Sequence, residues 1–234
     1  MNVKNNESQK REDVEKQIRR VEDLVKFYIQ KRKEQLQFYI DLGQESLSRV
    51  EFMRKTFVSA FVGLIFIIIG LTAIQKIETD SAVYVVIGLI IFTVFIHWLF
   101  LRNHRKTADY FGEAMGALDQ CITNHKIVLE LLLVGSLDSF QGNKKVIHEI
   151  GTFVIILERL NTLYMIKPWE KLAKLYVISD GTKKTLSSYS KLLKENLKST
   201  LDEYEKLDKN LIPQDLQNMS QTILDEHKKL TKSA

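Results

Sequence analysis

The chain contains FVSAFVGLIFIIIGLTAI at residues 57–74 and AVYVVIGLIIFTVFIHWLFL at residues 82–101, with the polar QKIETDS between them at residues 75–81. Neither apolar run contains Asp, Glu, Lys or Arg. As helices they would be about 27 and 30 Å long, which matches a hydrocarbon core of about 30 Å. Because neither run has the single apolar stripe of a soluble helix, we expect two membrane spans rather than two buried core helices.

Charges at the ends of the two runs predict the orientation of this hairpin. Arg49, Arg54 and Lys55 precede the first run. A second basic group follows the other run, made of Arg102, His104, Arg105 and Lys106. The polar loop has only Lys76 against Glu78 and Asp80. Since basic residues stay on the cytoplasmic side, both termini should lie in the cytoplasm of a cell whose plasma (inner) membrane holds the hairpin.

The remainder of the chain has the composition of amphipathic helices. Only two prolines and ten glycines interrupt 234 residues, and the net charge of +5 is too small to indicate a nucleic-acid partner. Apolar residues at heptad-like spacing predict a long helix from residue 12 into the first span. Further helices are expected at 102–134, 144–166, 168–177 and 182 onwards, with breaks at 135–143 and 179–181 and a last helix after Pro213.

These observations predict an all-α membrane protein with three parts. A cytosolic N-terminal helix would occupy residues 1–55, the transmembrane hairpin residues 56–101, and a cytosolic helical domain residues 102–234. The N- and C-terminal parts would together form a coiled coil or helical bundle beneath the membrane. The partners expected are the lipid bilayer, further copies of the chain and a cytosolic sensor or signalling protein.

Small residues in the spans are candidates for close helix packing. They are Ser59, Gly63 and Gly70 in the first span and Gly88 in the second. The sequence does not separate packing of one span on the other from oligomerisation through the same face. Glu78 and Asp80 have two interpretations as well, a solvated turn or an acidic ring at a pore mouth, and the turn is the preferred one.

No catalytic or cofactor motif is evident, so we expect neither an enzyme nor a bound cofactor or metal. The glycines form no phosphate loop, and the histidines have no metal-ligand spacing. Cys121 and His125 would share one helix face, an arrangement that is found in some nucleophilic enzymes. Here both lie in an ordinary amphipathic pattern, which favours a structural role.

Two known families share this layout of helix, span, short loop, span and helices. The mitochondrial calcium uniporter is set aside, because its Trp-Asp-x-x-Glu-Pro pore motif has no counterpart around Glu78 and Asp80. Residues 49–120 resemble the two-transmembrane domains of bacterial conflict and antiphage systems, of the SLATT type or the type found beside TRADD-N-like domains. Arg54-Lys55-Thr56-Phe57, Gly88 and the stretch 103–111 (NHRKTADYF) carry the resemblance.

That resemblance implies an oligomerising effector that disrupts or permeabilises the inner membrane when an upstream sensor fires. Two alternatives stay open. The hairpin could be a non-catalytic anchor for a helical partner-binding scaffold, or the chain could be a small oligomeric ion channel lined by Glu78 and Asp80.

Overall fold

A computed structural model describes residues 2–74, 78–134 and 144–232, and this part of the chain contains helices and no strand. The predicted break at 135–143 and the loop residues 75–77, including Lys76, lie outside the described residues. The helices are α1 (Asn2–Ala73), α2 (Thr79–Val134), α3 (Lys144–Asn161), α4 (Ile166–Leu172), α5 (Asp180–Glu205) and α6 (Gln214–Lys232), with 3-10 turns at Thr162–Met165 and Lys209–Leu211.

The two longest helices, α1 and α2, form an antiparallel pair over most of their length. The residue numbers of successive contacts increase along α1 while they decrease along α2. Tyr28 meets His125, with ring centroids 5.6 Å apart, and Phe61 meets Phe92, with centroids 5.0 Å apart. Both helices pass without interruption from their charged halves into their apolar halves, which confirms the two continuous helices expected from the sequence.

A stripe of buried or half-buried positions follows steps of three and four residues along both helices. Such spacing keeps one face of each helix against its partner, as in a coiled coil. On α1 it comprises Val14, Ile18, Val21, Val25, Ile29, Arg32, Leu36, Tyr39, Gly43, Ser46, Val50, Arg54, Val58, Phe61, Ile65, Ile68 and Thr72. On α2 it comprises Ala82, Val86, Leu89, Thr93, Ile96, Phe100, Asn103, Thr107, Phe111, Ala114, Leu118, Cys121, His125, Val128 and Leu132.

The charged halves of α1 and α2 carry the other helices and enclose two cores. The distal core, farther from the apolar halves, includes Val25, Ile122, Phe153, Leu160, Tyr204, Leu216 and Ile223. The proximal core, nearer to them, includes Tyr39, Val50, Phe111, Leu118, Trp169, Leu172, Leu175, Val177, Ile178 and Leu186. The N- and C-terminal segments therefore form one bundle at the same end of the α1–α2 hairpin.

Several predicted helix boundaries are wrong. The helix expected at 144–166 ends at Asn161, and the helix expected at 168–177 is α4 (Ile166–Leu172), so Pro168 is its third residue rather than its first. Proline is tolerated there because the first N–H groups of a helix have no intrahelical partner. Ser179, expected in a break at 179–181, is the N-cap of α5, and its hydroxyl accepts a hydrogen bond from the Thr182 amide.

The apolar halves of α1 and α2 are not covered by the rest of the chain. Each is long and apolar enough to cross a membrane, and none of the residues in its most apolar 18-residue window is buried. Large side chains such as Phe66, Ile67, Ile91 and Val94 are more than half exposed. A soluble core would bury such side chains, so the arrangement is compatible with a membrane protein.

Candidate functional site

The two apolar halves touch through a narrow seam of large side chains. Phe57 and Phe100 lie with ring centroids 5.6 Å apart at one end, and Phe61 packs edge-on against Phe92. The hydroxyls of Thr72 and Thr93, which also lie on the seam, donate to carbonyls one turn back in their own helices. These hydrogen bonds satisfy the two threonine hydroxyls within their own helices, as a hydrocarbon environment requires.

The small residues singled out from the sequence do not line that seam. A Cβ added at Gly63, Gly70 or Gly88 would meet no atom within 4 Å, and Ser59 is exposed. The aromatic seam, rather than these positions, holds the two spans together within one chain. The helix faces that carry these small residues are consequently not covered by the same chain.

Both acidic residues of the loop between the two apolar halves, Glu78 and Asp80, are exposed at the α2 N-terminus. Asp80 lies in the first turn of α2, where the unpaired N–H groups and the helix dipole favour a negative charge. The Glu78 carbonyl accepts a hydrogen bond from the Ala82 amide at 3.0 Å, so Glu78 directly precedes the helix. Helix initiation accounts for both residues in a single chain, and an acidic pore ring stays a prediction.

The basic residues at the other end of the hairpin differ in their surroundings. Arg54 is hydrogen-bonded to Glu51 one turn earlier, which lowers the pKa of that carboxyl, and Lys55 lies 3.7 Å from the same group. The Arg102 guanidinium stacks over the Trp98 ring, 5.7 Å from its centroid. The remaining two, Arg105 and Lys106, are exposed. These five basic residues lie at the bundle end of the two apolar halves, and we call them the basic belt.

A buried ion pair, which the sequence did not reveal, joins α1 to α3 within the bundle. Arg32, only 2% exposed, donates from Nη2 to Glu158 Oε1 at 2.8 Å and from Nε to Oε2 at 3.4 Å. Its Nη1 donates to Gln35, and Lys31 approaches Glu158 to 3.7 Å from the solvent side. Arg32 occupies a stripe position where an apolar residue is expected, and this irregularity was the available signal.

Cys121 and His125 lie next to this ion pair, but they do not hydrogen-bond to each other through their side chains. The Cys121 thiol donates to the Asn161 carbonyl at 3.2 Å, and burial raises its pKa to about 12. His125 Nδ1 lies 2.8 Å from the Cys121 carbonyl, an acceptor, so the neutral ring carries its proton there. The arrangement stabilises a thiol rather than a reactive thiolate.

His125 Nε2 faces the ion pair without a hydrogen bond. It lies 3.4 Å from Glu158 Oε2, yet it has no hydrogen-bond partner among the residues that the structure describes. Burial lowers the pKa of His125, against the opposing effects of the Cys121 carbonyl and of Glu158, and the nearby Arg32 charge lowers it slightly further. The neutral imidazole is therefore the form that this pocket favours.

A cleft of about 1020 Å³ opens between α1 and α5 on the bundle surface. We call it the α1–α5 cleft; its lining includes Lys31, Arg32, Phe38, Tyr39, Trp169, Thr182, Tyr189 and Leu192. Phe38, Tyr189 and Leu192 are each more than half exposed. Burial raises the pKa of Tyr39 to about 12 although the adjacent Trp169 opposes this, and the Trp169 indole N–H makes no hydrogen bond of regular geometry.

Among the described residues no group of three or more His, Cys, Asp or Glu side chains could hold a metal ion. Comparisons with protein families, with curated proteins and with solved structures each found no match. The geometry is therefore the basis for a functional proposal.

Proposed function

We propose that this chain is a membrane-embedded, oligomerising effector of a bacterial defence system, which disrupts or permeabilises the inner membrane when it is activated. The observation that carries the proposal is the continuity of α1 and α2, whose inward stripe extends from the bundle into both apolar halves without a break. A change in the bundle would be transmitted to the hairpin through rigid helices rather than through a flexible linker.

Oligomerisation is proposed through the small residues of the spans. Ser59, Gly63, Gly70 and Gly88 leave space that no atom of the same chain fills. In a bilayer, small residues permit close approach of helix backbones, and van der Waals packing then drives association. The second copy of the chain would occupy these faces in the active state.

The proposed topology has both termini in the cytoplasm. The basic belt, which includes Arg102, Arg105 and Lys106, lies at the bundle end of the hairpin, whereas Glu78 and Asp80 lie at the opposite end. This asymmetry favours a cytoplasmic bundle under the positive-inside rule. A cytosolic sensor or signalling protein would then reach the bundle directly.

Expression in bacteria tests the effector proposal. The wild-type chain should depolarise the inner membrane and arrest growth, measured with a potential-sensitive dye and by colony counts. Gly63→Leu and Gly70→Leu should abolish both effects, since each adds a large side chain to an open face where a Cβ meets no atom of the same chain within 4 Å. Val62→Leu, at a neighbouring exposed position, is the matched control and should retain full activity. Undiminished toxicity of both glycine variants would refute the proposal.

The α1–α5 cleft favours a second candidate, a membrane-anchored scaffold that binds a partner through its helical bundle. Its exposed Phe38, Tyr189 and Leu192 form an apolar surface outside the membrane region, as partner-binding sites often do. Exchange of residues 57–101 for an unrelated two-span hairpin separates the candidates. A scaffold would keep its cellular activity after the exchange, whereas an effector would lose it.

A further inference from the structure

The segment between α4 and α5, residues 173–179, is fixed firmly to the bundle. Leu175, Val177 and Ile178 are buried in the proximal core. Arg49 Nη1 donates to the Val177 carbonyl at 3.3 Å, which ties the segment to α1. We call this segment the 173–179 turn. Its position relative to the two long helices is set by these contacts.

The 173–179 turn lies at the height where the second apolar run ends. Phe100, in the last turn of that run, packs against the proximal core to which the turn belongs. Burial raises the pKa of Tyr176, and the Asn103 side chain, three residues beyond Phe100, opposes this rise. Three residues of helix advance only about 4.5 Å, so the turn is level with the edge of the apolar region.

Two exposed side chains of the turn have the chemistry of a membrane interface. Tyr176 is 47% exposed although its neighbours in the turn are buried, and Lys174 is exposed. Tyrosine combines an apolar ring with a polar hydroxyl, which suits the headgroup layer. Arg102 and Arg105, exposed and within two residues of Asn103 on α2, add positive charge at a similar height, which anionic headgroups complement.

We infer that the 173–179 turn is a third contact with the bilayer, in which Tyr176 and Lys174 bind anionic phospholipid headgroups of the leaflet nearest the bundle. This inference rests on the proposed insertion of the two spans. Two antiparallel helices alone form a narrow stem about which the bundle could tilt. A third contact beside the stem fixes that tilt and places the bundle against one side of the membrane surface.

Site-directed fluorescence quenching in liposomes tests the contact. The full chain, with Cys121→Ser to remove its native thiol, receives one cysteine for a bimane label and is reconstituted in phosphatidylcholine with phosphatidylglycerol. Lys174→Cys reports on the turn while it keeps Tyr176. Lys191→Cys, which replaces an exposed lysine about three turns into α5, is the matched control. Ile90→Cys, within the second apolar run, reports on insertion.

Nitroxide on the lipid headgroup should quench the label at position 174 several-fold more strongly than the label at 191. Adding Tyr176→Ser should reduce quenching at 174, whereas Tyr189→Ser, which removes an equally exposed tyrosine, should not. Equal quenching at 174 and 191 would overturn the inference. Nitroxide in the acyl chains tests the insertion of the two spans separately from the contact of the turn. An unquenched label at position 90 would refute the insertion itself.

Discussion

Replacement of Arg32 by methionine should destabilise the bundle strongly, because it leaves the Glu158 carboxylate buried without its principal partner. The pair is bidentate, with Nη2 and Nε at 2.8 and 3.4 Å from the two carboxylate oxygens. Removal of one member of a buried pair costs about 3–5 kcal/mol. Lys31, 3.7 Å from Glu158 but half exposed, would restore part of the loss, so we expect about 3 kcal/mol.

The double variant Arg32→Met with Glu158→Leu should be much more stable than the single variant Arg32→Met. With both charges removed, no uncompensated charge stays buried, and two apolar side chains fill a similar volume. Such exchanges are often neutral or stabilising, so the double variant should recover most of the stability lost in the single one. The recovery distinguishes the cost of an unpaired charge from a simple loss of packing.

Urea unfolding of the detergent-solubilised chain, followed by far-UV circular dichroism, measures these differences. Arg159→Met is the matched control: it removes the same side chain one residue from Glu158, but Arg159 and its partner Glu203 are each nearly half exposed. An exposed pair contributes about 0–1 kcal/mol. If Arg32→Met cost no more than Arg159→Met, or if the double variant were as unstable as the single one, the reasoning would be wrong.

Three further predictions concern the α1–α2 interface. Gly43→Leu should destabilise the chain by about 1–3 kcal/mol in urea unfolding, because even a Cβ there would lie 3.2 Å from the Phe111 ring, whereas Gly112→Leu, with open space around it, should not. Cys121 should react with maleimide far more slowly in the native chain than in urea, since burial raises its thiol pKa to about 12; equal rates would contradict its buried position. Because the pKa of His125 is lowered in the folded chain, the unfolded chain binds a proton more readily. The free energy of unfolding should therefore fall as the pH drops below about 6.5, by at most about 1.4 kcal/mol per pH unit. Urea unfolding midpoints measured against pH should show this slope in the wild-type chain and not in His125→Gln.

The long helices could be predicted because their signals are local. The apolar runs 57–74 and 82–101 are uninterrupted, and heptad-like spacing continues on both sides of them. Single positions are harder to assign: on α2 the polar Thr107 is buried, whereas the adjacent apolar Ala108 is exposed. Such single-residue errors are expected where small side chains of similar size are adjacent, because only the partner helix decides which of them faces inward.

The helix boundaries near α4 could not be read correctly from the sequence. Pro168 fits the first and the third position of a helix equally well, and only the α4 backbone decides between them. Ser179 likewise resembles either a loop residue or an N-cap. In both cases the residue fits more than one position near a helix end, so the local sequence does not fix the helix boundary.

Arg32 interrupts the apolar stripe of α1 and could be noticed in the sequence, but its pairing with Glu158 could not be predicted, for a different reason. Arg32 and Glu158 are 126 residues apart, and their contact depends on how α3 docks against the α1–α2 pair. The faces of Gly63, Gly70 and Gly88 were similarly undetermined, since composition shows that a close approach is permitted but not between which helices.

Thiol accessibility in spheroplasts tests the central claim, a two-span hairpin with its whole helical bundle on the cytoplasmic side. In a Cys121→Ser background, Asp80→Cys at the outer end of the hairpin and Lys191→Cys on the bundle are treated with a membrane-impermeant maleimide before and after lysis. The account predicts that position 80 is labelled in intact spheroplasts and position 191 only after lysis. Protection of position 80 in intact spheroplasts, or equal labelling of both positions there, would contradict it.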